Sequence, residues 1–290
     1  MNANNPSIGS GSWTSIPGGV SPSSSSSRTQ AFSNLNGGNN TFTWTTNNGG
    51  CTSSDNIVVF NDNVAPSAKC QNRTVVLNSS GNGSLTASSV NNGSSDAHCS
   101  ISLSLSQTSY GCGDVGNQTE TLTVTDQNGN SSTCTATITT EDNTNPLAVC
   151  QSRTVVLNSS GNGSLTASDV NNGSSDACGI TLSLSQTSYS CSDVGTQTET
   201  LTVGDGNGNS STCTAVITTQ DNTNPTAVCQ NQTVTLNSSG NGSLAASQVN
   251  NGSSDACGVS LSLSQTSYGC GDVGTQTETL TVSDPSSNST

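Results

Sequence analysis

Cysteine and aspartate are the side chains of this chain that could do chemistry at a regular spacing. The 290 residues hold 12 cysteines, which fall in groups of one, four, four and three. Eighteen Asp and Glu residues stand against four Lys and Arg, and His98 is the single histidine. Disulfide bonding and cation binding by carboxylate oxygens are the two chemistries that such a set favours.

Each group of four cysteines predicts two disulfides. Four cysteines allow three connectivities, and the sequence alone leaves the choice open. We prefer one bond from the first to the fourth cysteine and one from the second to the third, because the second and third are only 13 residues apart, at 99 and 112 and again at 178 and 191. The predicted disulfide cysteines are Cys70 with Cys134, Cys99 with Cys112, Cys150 with Cys213, Cys178 with Cys191, and Cys257 with Cys270.

These disulfides bear on stability and on location. Each contributes about 2–4 kcal/mol, and a chain that depends on them belongs outside the cytosol. Cys51 and Cys229 have no partner on this pairing, and no signal peptide precedes them. We therefore expect a segment of a longer secreted chain. Zinc is a weaker explanation of the cysteines, since the sequence has no closely spaced cysteine pair and no repeated histidine.

Nine aspartates recur at three fixed places: the linker that opens each repeat, a loop between early strands, and the last hairpin turn. In an up-and-down sandwich these places share one end, so we predict sites for Ca²⁺, which takes six to eight oxygen ligands. Alternatively, the aspartates only hold turns through their own backbone. The predicted ligands are Asp62, Asp96 and Asp126, then Asp142, Asp176 and Asp205, then Asp221, Asp255 and Asp284, with Asp114, Asp193 and Asp272 as further candidates from the preceding domain.

The composition excludes several classes of protein. An acidic net charge of -14 disfavours nucleic acid and anionic membrane surfaces. The sequence has no apolar run near the roughly 20 residues that a membrane-spanning helix needs. His98 falls in an insertion present in one copy of the repeat only, so no catalytic triad recurs, and we expect an exposed loop histidine and no enzyme.

An internal repeat sets the domain organisation. Residues 74–88 recur unchanged at 154–168 and, with two substitutions, at 233–247. The period is 79 residues, from 154 to 233, with one extra residue in the first copy. We predict a truncated immunoglobulin-like domain at 1–62 and repeats 1, 2 and 3 at 63–141, 142–220 and 221–290. Repeat 3 stops before its last strand and is therefore expected to be incomplete.

Apolar residues alternate with hydroxyl residues within each repeat. Leu122 and Val124 alternate with threonines, as do Ala136 and Ile138, which indicates half-buried strands. Clusters of Gly, Asn and Ser between these segments supply turns. Only 28% of residues are hydrophobic, which is too few for one large core. The predicted fold class is all-β, a linear array of disulfide-stapled immunoglobulin-like β-sandwich domains.

Four segments of repeat 2 resemble the hyalin-type (HYR-like) repeat of giant adhesins that gliding bacteria secrete by the type IX system. These segments are 145–150, 175–179, 189–195 and 208–215, and the likeness extends over 63–290. Residues 1–62 resemble another immunoglobulin-like repeat of such surface proteins. The linkers also resemble the calcium-bound joint of cadherins. The resemblance implies secretion, anchoring at the bacterial cell surface, and adhesion.

We therefore expect a structural stalk or fibre segment of a bacterial surface adhesin, with joints rigidified by Ca²⁺. One alternative is a filament subunit that accepts a strand into repeat 3 from a neighbouring chain. The other is an accessory binding module of a secreted polysaccharide-degrading enzyme. Expected partners are further copies of the repeat, in the same chain or in neighbouring subunits, with surface polysaccharide as another candidate.

Overall fold

The structure is a computed structural model that describes residues 9–16 and 24–290. The chain forms two compact units, Met1–Asp142 and Asn143–Thr290, and each is described by itself. Strands dominate both units, and the helices of the described residues are single turns. The fold class is all-β, with several sheets and with disulfide bonds in the repeats, as the alternating sequence predicts.

The N-terminal domain is one antiparallel sheet with the strand order β2-β1-β3-β4. Its core consists of Trp13, Phe42 and Trp44. Cys51 opens the last strand and is exposed and free. The strands are β1 Ser10–Ile16, β2 Ser24–Ser25, β3 Gly38–Asn48 and β4 Cys51–Asn61.

Repeat 1 combines a four-stranded sheet, ordered β5-β10-β9-β7, with the strand pair β6-β8. Strands β5 and β10 run parallel, and the other pairs are antiparallel. Leu122, Val124 and Ile138 are fully buried, which confirms the alternation. The elements are β5 Arg73–Val76, β6 Asn82–Ser84, α1 Ala87–Val90, β7 Ile101–Leu105, β8 Ser109–Gly111, a 3-10 turn Cys112–Asp114, β9 Gly116–Asp126 and β10 Ser131–Glu141.

Repeat 2 has the same arrangement, with sheet order β11-β16-β15-β13 and the pair β12-β14. Val155, Leu157, Val170, Leu201 and Ile217 are buried in its core. The elements are β11 Arg153–Val156, β12 Asn162–Ser164, α2 Ala167–Val170, β13 Thr181–Leu184, β14 Ser188–Ser190, a 3-10 turn Cys191–Asp193, β15 Gly195–Gly204 and β16 Ser210–Gln220.

Repeat 3 retains only the pairs β17-β19 and β18-β20. Residues 232–235, which correspond to β11, form no strand. In repeat 2, β11 pairs with β16, and residues 221–290 contain no strand in the position of β16. The elements are β17 Gly242–Ser243, α3 Ala246–Val249, β18 Ser260–Leu263, β19 Ser267–Tyr268, a 3-10 turn Cys270–Asp272 and β20 Leu280–Ser283.

The disulfides confirm the predicted bond between the first and fourth cysteines of a repeat. Cys70 bonds to Cys134 in repeat 1, and Cys150 bonds to Cys213 in repeat 2. Each bond joins the first and fourth cysteines of its group. Cys229, which corresponds to Cys150 in the repeat, is exposed and free.

The predicted pairing of second and third cysteines is wrong. Cys191 bonds to Cys257 and therefore joins repeat 2 to repeat 3. Cys112 and Cys178 are also in disulfides, whereas Cys99 and Cys270, expected in bonds with Cys112 and Cys257, are free.

The predicted bond between the second and third cysteines is wrong because the segment between them can be extended. A segment of 13 residues spans up to about 43 Å when extended, at about 3.3 Å per residue, so proximity in sequence did not imply contact. The third cysteine of repeat 2 lies at the end next to repeat 3, where it meets the second cysteine of that repeat.

Candidate cation sites at the joints

The first acidic cluster, named the N-terminal joint, consists of Asp62, Asp96 and Cys99. Asp62 directly follows β4, the last strand of the N-terminal domain, and Asp96 lies in the loop of repeat 1 that precedes β7. One ligand atom from each of the three residues lies within 4.8 Å of the others. The fold therefore brings the end of one domain against a loop of the next through two carboxylates.

Asp62 is the buried carboxylate of this joint, with 4% of its surface exposed. Its Oδ1 accepts a hydrogen bond from the Val64 backbone N–H at 3.0 Å. Its Oδ2 is buried and has no hydrogen-bond partner of good geometry. A buried carboxylate oxygen without a hydrogen bond lowers the stability of the folded protein by at least about 1–3 kcal/mol. A bound cation would supply the missing partner of this oxygen.

Asp96 supplies the second carboxylate. Its Oδ1 accepts hydrogen bonds from the backbone N–H groups of His98 at 2.8 Å and Cys99 at 2.9 Å. These bonds, that of His98 first, lower the pKa of Asp96. The group is therefore ionised at neutral pH, while Oδ2 stays available. His98 is exposed as predicted, and its ring lies 4.8 Å from that of Phe60.

Cys99 is the third residue of the N-terminal joint. The carboxylate of Asp62 raises the pKa of the Cys99 thiol, first through a weak hydrogen bond and then, after burial, through its negative charge. The charges of Asp126 and Asp96 act in the same direction. Two of the three donors are carboxylate oxygens, the ligands that Ca²⁺ prefers.

Asp126 lies beside this joint but holds its own hairpin turn. Its Oδ1 accepts hydrogen bonds from the N–H groups of Asn128 at 2.8 Å and Asn130 at 2.9 Å. Its Oδ2 accepts from Asn130 Nδ2 at 2.8 Å. Although burial acts in the opposite direction, these bonds lower its pKa. Asn130 Nδ2 also donates to the backbone oxygen of Asp62 at 3.1 Å, so Asp126 fixes the linker indirectly.

The second acidic cluster, named the C-terminal joint, consists of Asp221, Asp255 and Cys257, again with ligand atoms within 4.8 Å of one another. Asp221 is 5% exposed, and its Oδ1 accepts from the Thr223 N–H at 3.0 Å. Its Oδ2 is buried without a partner, as in Asp62. Asp255 Oδ1 accepts from the Cys257 N–H at 2.8 Å. Cys257 is bonded to Cys191, which again leaves two carboxylates as the donors.

Asp284 repeats the role of Asp126 in the C-terminal joint. Its Oδ1 accepts from the Asn288 N–H at 2.8 Å, and its Oδ2 accepts from Asn288 Nδ2 at 2.8 Å. Asn288 Nδ2 also donates to the backbone oxygen of Asp221 at 2.9 Å. In both joints the predicted third carboxylate therefore acts on the linker backbone through an asparagine.

Three predicted ligands remain, and each is described within its own unit. Asp142 is buried at the end of the first unit. In the second unit, Asp176 Oδ1 accepts from the Cys178 N–H at 2.8 Å. Asp205 Oδ1 accepts from three backbone N–H groups of its turn, those of residues 207, 208 and 209. Burial raises the pKa of Asp205, but hydrogen bonds from Asn209 and its neighbours outweigh it and lower the pKa.

The candidate ligands from the opposite end of each repeat hold local turns instead. Asp114, Asp193 and Asp272 close the 3-10 turns of their repeats, with one carboxylate oxygen accepting from the N–H three residues before. The alternative from the sequence, that recurring aspartates serve turns, therefore describes these residues and also Asp126, Asp205 and Asp284. It leaves the free oxygens of Asp62 and Asp221 unexplained.

Sequence reasoning missed that the second cysteine of a repeat lies beside the acidic pair. The signal was present, since Cys99 follows Asp96 by three residues and Cys257 follows Asp255 by two. Treating the cysteines and the aspartates as separate patterns concealed it.

Comparisons with known proteins give only distant likenesses to solved structures. No protein-family model matches the chain, and no curated protein matches it. An endo-fucoidan hydrolase of glycoside hydrolase family 107 is 13% identical over 77% of this chain and 43% of its own, with a TM-score of 0.23. The cis-dimer structure of protocadherin gammaB7 extracellular domains 3–6 is 12% identical over 98% of this chain and 92% of its own, with a TM-score of 0.29. Mouse cadherin-23 extracellular domains 22–24 are 14% identical over 76% of this chain and 89% of their own, with a TM-score of 0.29.

The chain thus spans less than half the length of that hydrolase. Among the described residues, no helix is both long enough and apolar enough to cross a membrane. The disulfides indicate an extracellular protein, because such bonds persist in oxidising compartments.

Proposed function

We propose that this chain is a non-catalytic stalk segment of an extracellular bacterial surface adhesin, in which Ca²⁺ stiffens the joints between sandwich domains. The observation that carries the proposal is the pair of buried oxygens Asp62 Oδ2 and Asp221 Oδ2, which accept no hydrogen bond of good geometry and each lie beside a second carboxylate within 4.8 Å. Placement at the bacterial surface follows the resemblance to hyalin-type repeats.

The acidic pairs connect neighbouring domains. Asp62 belongs to the linker, and Asp96 belongs to a loop of the next domain, so a cation held by both would restrict movement between them. When bound, Ca²⁺ would supply positive charge that offsets the repulsion of two close carboxylates. The Val64 N–H and the Asn130 amide already fix the linker around Asp62. The ligands are therefore partly positioned by the protein itself.

A structural role fits the rest of the chain better than polysaccharide binding. An accessory carbohydrate module needs exposed aromatic side chains. Tyr110, Tyr189 and Tyr268 are at most 9% exposed, and each donates its hydroxyl hydrogen to a backbone oxygen three residues before. These tyrosines anchor the core of their repeats.

Thermal unfolding with Ca²⁺ and with a chelator tests the proposal. At about ten times the Kd, one site adds about 1.4 kcal/mol, which corresponds to roughly 3–8 °C in Tm. The Asp62→Asn and Asp221→Asn double variant should lose this shift. Asp55→Asn is the control, because Asp55 is exposed on β4 and belongs to neither joint. Equal melting temperatures with Ca²⁺ and with chelator would overturn the calcium role.

A further inference from the structure

The disulfide Cys191–Cys257 shows how one repeat bonds covalently to the next. Cys191 opens the 3-10 turn Cys191–Asp193 of repeat 2. Cys257 lies in the Asp255-Ala256-Cys257 loop of repeat 3. The bond therefore joins a turn of one repeat to a loop of its successor.

A glycine makes room for that loop. Gly161 has a φ of +74°, and a Cβ placed on it would lie 2.7 Å from Cys191 Sγ and 3.2 Å from Ala256 Cβ. The Cys191 sulfur lies 3.8 Å from the Gly161 backbone oxygen. The incoming Ala-Cys segment thus occupies space that any other residue type at position 161 would fill.

Repeat 3 presents the same turn without an incoming loop. Cys270 opens the turn Cys270–Asp272, and its sulfur lies 3.9 Å from the Gly240 backbone oxygen. Gly240 has a φ of +76°, and a Cβ placed on it would lie 2.7 Å from Cys270 Sγ, with no other heavy atom within 4 Å. The Asp272 carboxylate accepts from the Gly269 N–H at 2.7 Å, as Asp193 accepts from Ser190 at 2.7 Å. Cys270 is exposed and free.

We propose that Cys270 is a coupling thiol that forms a disulfide with the Asp-Ala-Cys loop of another repeat of this type. The evidence is the bonded Cys191 in the same turn of the preceding repeat, together with the preformed space beside Gly240. The inference rests on the proposed role as a tandem array and is independent of Ca²⁺.

The bond forms by thiol-disulfide exchange. The loop cysteine first carries a small thiol in a mixed disulfide, which an oxidised low-molecular-weight thiol supplies. The Cys270 thiolate attacks the sulfur of the loop cysteine, the new S–S bond forms, and the small thiolate leaves and takes up a proton. One disulfide is consumed and one is made, so electrons balance.

The selectivity of Cys270 over the other exposed free cysteines is the testable consequence. Cys51 and Cys229 are also exposed and free, but neither opens a 3-10 turn. The probe is a hexapeptide with the sequence of residues 253–258, activated on its cysteine as a 2-thiopyridine mixed disulfide. A scrambled peptide of the same composition, activated in the same way, is the control. Mass spectrometry of the full chain gives the labelling rate of each cysteine.

The labelling rate of each cysteine with the hexapeptide is divided by its rate with the scrambled peptide. This normalised rate should be at least tenfold higher for Cys270 than for Cys229 or Cys51. Gly240→Ala should remove this preference, because its Cβ enters the space of the incoming alanine. Gly252→Ala is the matched control, since Gly252 has a φ of +89° but no heavy atom within 4 Å of its Cβ position. It imposes similar backbone strain and should keep the preference.

Equal normalised rates at the three cysteines in the unaltered chain would overturn the proposal, whatever the variants do. A preference that survives Gly240→Ala would contradict the preformed space as its cause. Neither result bears on the melting shift with Ca²⁺, so failure of the coupling role and failure of the calcium role are distinguishable.

Discussion

The N-terminal and C-terminal joints have the same acidic pair but differ in one covalent bond. Asp62 with Asp96 and Asp221 with Asp255 share the burial, the free oxygen and the asparagine that holds the linker. Only the C-terminal joint contains a disulfide between neighbouring repeats, whereas Cys99 is free. The acidic pair is therefore not a by-product of the disulfide, and the two links act separately.

This difference implies a division of labour. Where the disulfide is present, it limits separation of the repeats, and a cation adds to an existing link. Where it is absent, the acidic pair and the hydrogen bonds of the linker carry the restraint. Chelation should therefore disturb the N-terminal joint more than the C-terminal joint.

The largest expected effect is the loss of the disulfide between repeats. Replacing both Cys191 and Cys257 with Ser should destabilise the second unit by about 2–4 kcal/mol, because the bond constrains the unfolded chain. Replacing the free cysteines Cys99 and Cys270 with Ser should change stability by less than about 0.5 kcal/mol. Urea unfolding followed by hydrogen exchange and mass spectrometry separates the two units. Equal losses in the two double variants would refute the separate role of this bond.

The next largest effect is the loss of stability expected when Gly161 is replaced by alanine. Gly161→Ala introduces a Cβ 2.7 Å from Cys191 Sγ at a positive φ, whereas Gly173→Ala meets open space at a φ of +87°. Both lose about 1 kcal/mol to the left-handed backbone, and Gly161→Ala should lose at least about 1 kcal/mol more. Urea unfolding of the second unit measures the difference. An equal cost at both positions would show that the loop of repeat 3 does not pack here.

Chelation should have a smaller effect, which differs between the linkers of the two joints. The Val64 N–H is held by Asp62 and the Thr223 N–H by Asp221. Removal of Ca²⁺ should speed amide exchange about tenfold at Val64, or roughly 1.4 kcal/mol, and by less at Thr223, where the disulfide remains. Exchange of individual amides measured by NMR tests this order. A larger change at Thr223 would reverse the comparison.

Acid should have the smallest effect, through the turn of Asp126. Its pKa in the folded chain lies below the unfolded value of about 3.9, so its stabilising contribution is complete above that pH. The contribution falls as the pH drops through the folded pKa, and the linker hydrogen bond of Asn130 should loosen with it. Thermal unfolding between pH 2 and 6, with Asp126→Asn as the control, measures this loss. A parallel pH dependence in the variant would exclude Asp126 as the source.

Much of the fold could be predicted from sequence because the repeat and the two-residue alternation are local patterns. The threonine-faced strands β9 and β10 follow from Leu122, Val124 and Ile138. The first-to-fourth disulfides were predicted correctly, but from the short spacing of the second and third cysteines, which do not bond to each other. The domain boundaries remain predictions from the repeat.

The joints could be predicted only in part, because they depend on contacts between domains. The linker and loop aspartates were identified from their recurrence, but not which carboxylate oxygens the turns already use. Asp126 uses both carboxylate oxygens within its own turn, whereas Asp62 uses only Oδ1 for a local N–H. The bond between Cys191 and Cys257 was missed for the same reason, since nothing local in either repeat encodes it.

Calcium titration by isothermal calorimetry tests the central claim most directly. The unaltered chain should bind Ca²⁺ saturably, with a Kd in the range of about 0.1–1 mM expected of extracellular modules. Asp62→Asn and Asp221→Asn should each remove one equivalent, while Asp55→Asn should remove none. Absence of saturable binding, or binding unchanged in the double variant, would contradict calcium coordination at the joints.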